Sequence, residues 1–378
     1  MESSKKIKVL HVCTVGITAR AFLLPIFKKL REEGYDLTFA CTDDADARYV
    51  EAQGIPFFPV KISRKISITD FFATFKLFKF ISKNKFEIVN THTAKAGFVG
   101  RTAAWLARVP IIIHTAHGLV VHEYLSSVKK FIYKFLERWI GKKTRKFIVV
   151  TDKVGEELIK AGIASKDKIR RIYNGIDVKK FEAAKDISKK ELRKNFNEED
   201  IIVGTISRLV PDKGLEKLIA AFASIEIKNS KLVIAGDGPL KNSLIHLAEK
   251  LEIKNNVSFI GWQNDVPKTL ASFDIFCLPT LREGFGYVFL EAQAAGVPVI
   301  ATKIEPLTET MRDGESALLV SPDSEKEIAE AIKRVIKDEE LRLNLIANGR
   351  KNVSDNFSQK KQLEEISKFY KEISCCLR

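Results

Sequence analysis

Glu283 and Glu291 stand eight residues apart, on either side of a Gly284-Phe285-Gly286 turn. Ahead of them runs an apolar, strand-like stretch, Ser272 to Pro279. Behind them a helical pattern closes at Gly296-Val297-Pro298. A strand, a glycine turn and a helix start make an anion cradle, because the first helical N–H groups have no partners within the helix. Two carboxylates beside such a cradle make sense if the ligand also carries hydroxyls. A nucleotide sugar offers both, a diphosphate for the N–H groups and ribose and hexose hydroxyls for the acids. Glu291 could also be a plain surface acid. Its neighbours Ala292-Gln-Ala-Ala-Gly296 are small and apolar, which predicts burial, and a buried carboxylate needs partners. At about 100° per residue, eight positions differ by roughly 80° around a helix, so the two acids can reach different parts of one ligand.

Further candidates follow other strand-like runs. Arg208 and Lys213 lie in Ser207-Arg-Leu-Val-Pro-Asp-Lys213-Gly214, after an apolar run that starts at Ile201. Arginine offers a planar fork and lysine a mobile point charge, a combination that suits a diphosphate. Gly236-Asp-Gly-Pro239 ends the next run and fits a backbone packed close to a ligand. Trp262 follows another and can border a base or simply pack. His117-Gly118 lies just past the run 110–115 and is well placed to face a cleft, whereas His114 inside that run reads as a core histidine. Gly16, in Thr14-Val-Gly-Ile-Thr18, opens the first helix and can bring backbone N–H groups near phosphate. The spacing is not that of a dinucleotide site. No Asp-x-Asp is clearly placed to bind a divalent metal, so no metal is expected.

The elements that must position these residues alternate. Strand candidates are 7–13, 36–41, 86–91, 110–115 and 146–151, with helix patterns between them, among them Ala19–Glu33 ended by Gly34. A second series runs 201–206, 231–236, 257–261, 275–279 and 297–302. Alternation of this kind predicts parallel sheets covered by helices on both faces. Ligands of such sheets bind at the carboxyl ends of the strands. The fold class is α/β, two doubly wound Rossmann-like domains facing each other with the site in the cleft between them. The expected domains are 1–176 and 177–356, and an amphipathic helix over 357–378 packs back on the first.

A chain of 378 residues exceeds one ordinary core. Its five cysteines show no metal spacing, and Cys375-Cys376 are adjacent, as in a reduced cytoplasmic protein. No apolar leader and no run of about 18 to 20 apolar residues is present, which excludes a membrane span from expectation. The net charge of +15 is unevenly spread. Residues 1–182 hold 34 Lys+Arg against 18 Asp+Glu, a net +16, and the rest hold 29 against 30. The basic half also carries Phe71-Phe-Ala-Thr-Phe-Lys-Leu-Phe-Lys-Phe-Ile81 and Val128–Ile140, aromatic and cationic at helical spacing. They read equally as helices burying Phe on a sheet, or as contacts to an anionic membrane surface.

Together, Glu283-x7-Glu291, Ser207-Arg208-x4-Lys213-Gly214, Gly236-Asp-Gly-Pro239, Asn174-Gly-Ile-Asp177 and His117-Gly118 resemble the retaining glycosyltransferases of family 4, which have the GT-B fold. The resemblance covers nearly the whole chain. Thr91-His-Thr-Ala-Lys95-Ala-Gly and Thr115-Ala-His-Gly-Leu resemble bacterial enzymes that build capsule, O-antigen or other surface polysaccharides on lipid carriers. The resemblance implies that Arg208 and Lys213 hold the donor diphosphate and that Glu291 binds ribose. Glu283 with the N–H groups of Gly284, Phe285 and Gly286 would hold the sugar, with His117 near the reacting centre and Gly16 approaching the phosphates. Many relatives have two glycines where this chain has only Gly16. The implied reaction moves a hexose or N-acetylhexosamine from a nucleoside-diphosphate sugar, by default a UDP-sugar, to a lipid-linked saccharide, without metal or cofactor, at the inner face of the plasma membrane. The rival readings are a sugar-nucleotide epimerase and a non-catalytic nucleotide-binding protein. Nucleic acid is disfavoured, because no nucleic-acid motif is present and the paired acids would repel a phosphate chain.

Overall fold

The computed structural model describes residues 6–62, 69–118, 127–184, 193, 196–225 and 227–377, with only the backbone for 127–130. Its contacts divide the chain into one unit of 1–173 with 362–378 and a second of 174–361. Most strands of both units are short and mainly apolar, and their central residues are buried. Such strands must be covered on both faces, as parallel sheets are.

In the first unit, β1 (Lys8–Val12), β2 (Asp36–Cys41), β3 (Phe57–Pro59), β4 (Ile88–His92), β5 (Ile111–Ala116), β6 (Lys146–Val149) and β7 (Ile169–Arg171) form one sheet. Its order is β3-β2-β1-β4-β5-β6-β7, and every pairing is parallel. The order reverses between β1 and β4, where His11 lies opposite Asn90 and Val12 opposite Thr91. One face is closed by Leu23, Phe27 and Leu30 of the first helical region. The helix Gln359–Ser374 completes that face with Ile366, Phe369, Tyr370 and Ile373. Ala73, Leu77 and Ile81 of the helix Thr69–Asn84 pack on the other face, beside Val99 and Ala103 of the helix Ala94–Leu106.

In the second unit, β8 (Ile201–Ile206), β9 (Ser230–Ala235), β10 (Val257–Gly261), β11 (Ile275–Leu278), β12 (Val299–Thr302) and β13 (Leu318–Val320) follow the order β10-β9-β8-β11-β12-β13. All are parallel, and the reversal lies between β8 and β11. Several helix starts in both units carry a side-chain cap. Asp44, Thr151, Asp177, Ser324 and Asp338 each accept a hydrogen bond from the N–H three residues on.

Two expectations change. The helix read over Ala19–Glu33 is longer and less regular than its apolar pattern, and its opening at Gly16 is as the sequence suggests. Its stretch Ala19–Leu23 is wound as a π-helix before regular winding resumes over Leu24–Glu32. The phenylalanines at 71, 72, 75, 131 and 135 are exposed, not buried on the sheet. The core face of the helix Thr69–Asn84 is filled by Ala73, Leu77 and Ile81, which leaves Phe71, Phe72 and Phe75 turned outward.

Candidate active site

In the second unit the candidate residues gather at the carboxyl ends of β8, β9 and β11, beside the reversal of strand order. That is where open α/β sheets bind ligands. The loop after β8 is held by backbone bonds to its neighbours. Ser207 donates to the Ala235 carbonyl at 3.0 Å, Leu209 to Asp237 at 3.0 Å, and Leu281 to Asp212 at 2.8 Å. Thr280 Oγ1 adds a bond to the Asp212 carbonyl at 3.0 Å. These ties draw the β8 and β11 loops together and seat Lys213 against Glu283, with which it forms an ion pair. Both side chains are 13% exposed. Arg208, on the same loop, is exposed.

Gly236 shows why a glycine is needed at the end of β9. Its φ is +131°, and a Cβ there would lie 1.8 Å from the Ser207 carbonyl oxygen. The β8 loop can run close over β9 only because nothing projects from this position. Gly286 stands just ahead of the helix Tyr287–Ala295, whose start carries no side-chain cap. Gly284 is half-buried. The Phe285 side chain is buried, with its ring 5.1 Å from Tyr287 and 6.1 Å from Phe357, so it anchors the turn from below.

Glu291 follows on that helix. Ala292, Gln293, Ala294 and Ala295 are buried, as the small-residue pattern predicts. Burial raises the Glu291 pKa to about 7, against an opposing pull from Lys180. Tyr287, one turn earlier, is pushed well above the usual phenol range by burial and by the charge of Glu291. Trp262 is 70% exposed and donates its indole N–H to Asn264 Oδ1 at 3.2 Å. It is not core packing; its face is open to solvent.

In the first unit, His117 lies just past β5 and is kept neutral by burial, with its pKa lowered to about 4. His114 is a satisfied core histidine whose Nδ1 bonds Thr91 Oγ1 at 2.9 Å. The Gly16 amide donates to Asp44 Oδ2 at 2.9 Å, and a Cβ at Gly16 would lie 1.9 Å from Asp44 Oδ1. Asp44 therefore occupies the N–H that the sequence would offer to a phosphate, and it sets the need for glycine there. Thr14 and Thr93, at the ends of β1 and β4, join by their hydroxyls at 2.6 Å. Sequence reasoning missed this pair and the Thr280 latch. Their signal, a threonine one or two residues past a strand, is too common to read without the strand order.

Two all-parallel Rossmann-like units, with a cation–carboxylate pair at the strand reversal of the second, are the build of the GT-B fold. Residues 22–180 match the family described as Glycosyltransferase Family 4, and residues 186–352 match Glycosyl transferases group 1. The UDP-Gal:alpha-D-GlcNAc-diphosphoundecaprenol alpha-1,3-galactosyltransferase of Escherichia coli is 31% identical over 97% of each chain. The capsular polysaccharide biosynthesis glycosyltransferase CapM of Staphylococcus aureus is 30% identical, again over 97% of each. The crystal structure of HepE from Anabaena in complex with UDP and glucose shares the fold, with a TM-score of 0.83 at 22% identity over 97% of this chain and 100% of that one. The chain belongs to the family 4 glycosyltransferases and is a hexosyltransferase of polysaccharide biosynthesis.

Proposed function

We propose that this enzyme transfers a hexose or N-acetylhexosamine from a UDP-sugar to a lipid-linked saccharide, with retention of anomeric configuration. The observation that carries the reading is the Lys213–Glu283 pair at the strand reversal of the second unit. The carboxylate holds the lysine ammonium at the mouth of the anion-binding turn, before any ligand arrives. When the glycosidic bond breaks, charge grows on the leaving diphosphate. Cations already fixed there stabilise that charge without reorganising. Arg208 supplies the second cation, Glu291 takes the ribose hydroxyls, and His117 meets the transferred sugar.

A UDP donor is supported by the E. coli relative, named as acting on UDP-Gal, and by HepE, solved with UDP. A lipid-linked acceptor is supported by the same relative, whose name places diphosphoundecaprenol on its acceptor. No helix among the described residues is long and apolar enough to cross a membrane. The helices Thr69–Asn84 and Ser127–Lys143 instead offer exposed Phe71, Phe72, Phe75, Phe131 and Phe135 beside exposed Lys76, Lys79 and Lys134. Rings that enter the headgroup layer beside lysines that meet anionic lipid suit peripheral attachment. The test is transfer from radiolabelled UDP-sugars to undecaprenyl-diphosphate saccharides. Arg208→Ala and Lys213→Ala should each lower turnover by about tenfold or more. Near-normal turnover in either folded variant refutes the diphosphate assignment. Sugar-nucleotide turnover without an acceptor would favour the epimerase.

A further inference from the structure

His11, His92 and His117 sit on or just past three adjacent strands, β1, β4 and β5. The bonds behind them leave little freedom in where the protons lie. Thr115 Oγ1 donates to Asn90 Oδ1 at 3.1 Å, which fixes the Asn90 amide. Asn90 Nδ2 then donates to the Tyr370 oxygen at 3.0 Å. Tyr370 is fully buried on the helix Gln359–Ser374, and its own proton goes to His11 Nε2, 3.2 Å away. The opposite direction would give the phenol oxygen two donors and strand its proton in the core. Burial keeps His11 neutral, with its pKa lowered to about 3, so it carries one ring proton. With Nε2 accepting, that proton is on Nδ1 and is donated to His92 Nε2 at 2.9 Å.

His92 is 2% exposed and is also held neutral, chiefly by burial and next by the neighbouring His11, His117 and His114. Its Nε2 accepts, so its proton is on Nδ1. That nitrogen is buried and has no hydrogen-bond partner among the described residues. The next ring is His117, with centroids 5.9 Å apart, and His117 Nε2 is likewise buried without a partner. His92 Nδ1–H is thus a donor without an acceptor, and a hydroxyl that takes up this bond has a proton of its own to give to the unpartnered His117 Nε2.

We infer that Tyr370, His11 and His92 form a one-directional hydrogen-bond chain that holds His117 as the Nδ1–H tautomer, with Nε2 turned to a hydroxyl shared with His92. These three are positioning residues, and the bridging group is either a water or a hydroxyl of the transferred sugar. The inference rests on the reading of His117 as the sugar contact. It adds that the final helix sets which nitrogen of His117 carries the proton.

Histidine-selective 15N labelling of the full chain, read by two-bond 1H–15N correlation, reports each tautomer directly. The expected spectrum has His11, His92 and His117 all in the Nδ1–H form. His11 in the Nε2–H form would overturn the inference without any variant. Tyr370→Phe keeps the ring and removes the proton that orders the chain. It should mix the tautomers of His11 and His117 and lower kcat by roughly three- to tenfold, with donor KM unchanged. Unchanged His117 nitrogens and unchanged kcat in that variant would also overturn it. Adding UDP-sugar separates the two bridges, since only a sugar hydroxyl moves the His92 Nδ1 and His117 Nε2 signals on binding. His117→Ala distinguishes the two levels. Full transfer in that variant sinks the role of His117, while the tautomer spectrum of the wild type judges the chain alone.

Discussion

Replacing Glu291 by glutamine removes one titration from the second unit and keeps the shape of the side chain. Burial raises the pKa of this carboxyl from 4.5 to about 7 in the folded protein. Between those two values the folded chain holds more protons than the unfolded one. Stability therefore falls as pH rises through this window, and the loss is complete above about pH 7. A shift of this size corresponds to about 3 kcal/mol. Glutamine carries no such penalty. In urea unfolding followed by fluorescence, the lead of Glu291→Gln over wild type should be about 2.5 kcal/mol larger at about pH 8 than at about pH 5. Ligand binding gives a second reading of the same group. Ribose hydroxyls donating to the carboxylate favour its charged form. Binding of UDP at about pH 7 should then release protons from the wild type and not from the variant, as calorimetry in buffers of different ionisation enthalpy will show. A stability difference that does not change with pH refutes the reasoning, because it means that the carboxylate is already ionised in the fold.

Other outcomes follow from single contacts. Arg101 is fully buried and paired with Glu137 at 2.6 Å. Glu137→Gln should cost about 3 kcal/mol in denaturant unfolding, and adding Arg101→Met should recover part of it, because a lone buried charge is worse than none. Gly236→Ala sets a methyl against the Ser207 carbonyl. It should weaken UDP binding by about tenfold or more in calorimetry while the first unit keeps its fold. Serine at 71, 72, 131 and 135 together should abolish flotation with anionic liposomes, and the wild type should bind neutral vesicles far more weakly. Equal flotation of both proteins would count against peripheral attachment.

Ten strands were legible because each is a mainly apolar run of the length a buried parallel strand requires. The three missed, Phe57–Pro59, Ile169–Arg171 and Leu318–Val320, are three-residue strands at sheet edges. With one neighbour and partial exposure, such a strand needs no apolar run. The buried stretch beside Glu291 could be marked because Ala292 to Ala295 are mostly small and apolar. The ion pairing of Lys213 with Glu283 could not be read, since the two lie 70 positions apart and only the strand order brings their loops together. The Arg101–Glu137 pair, 36 positions apart, has no mark in the sequence for the same reason. That Asp44 claims the Gly16 amide has no mark in the sequence, because this partner comes from the end of a different strand. The π-wound turn at Ala19–Leu23 leaves no mark in residue type, and the outward Phe faces were ambiguous until the core side of their helices was known.

The helix Gln359–Ser374 supplies four core residues to a sheet whose strands all lie before residue 172. During synthesis that sheet therefore emerges with part of this face bare, Tyr35 included, and stays so while some 190 further residues are made. The second unit, whose parts are contiguous, can finish folding before the first one does. A stop codon or a rigid fusion just upstream of Ile366 would leave the amino-terminal sheet open to self-association, although every strand of it is present.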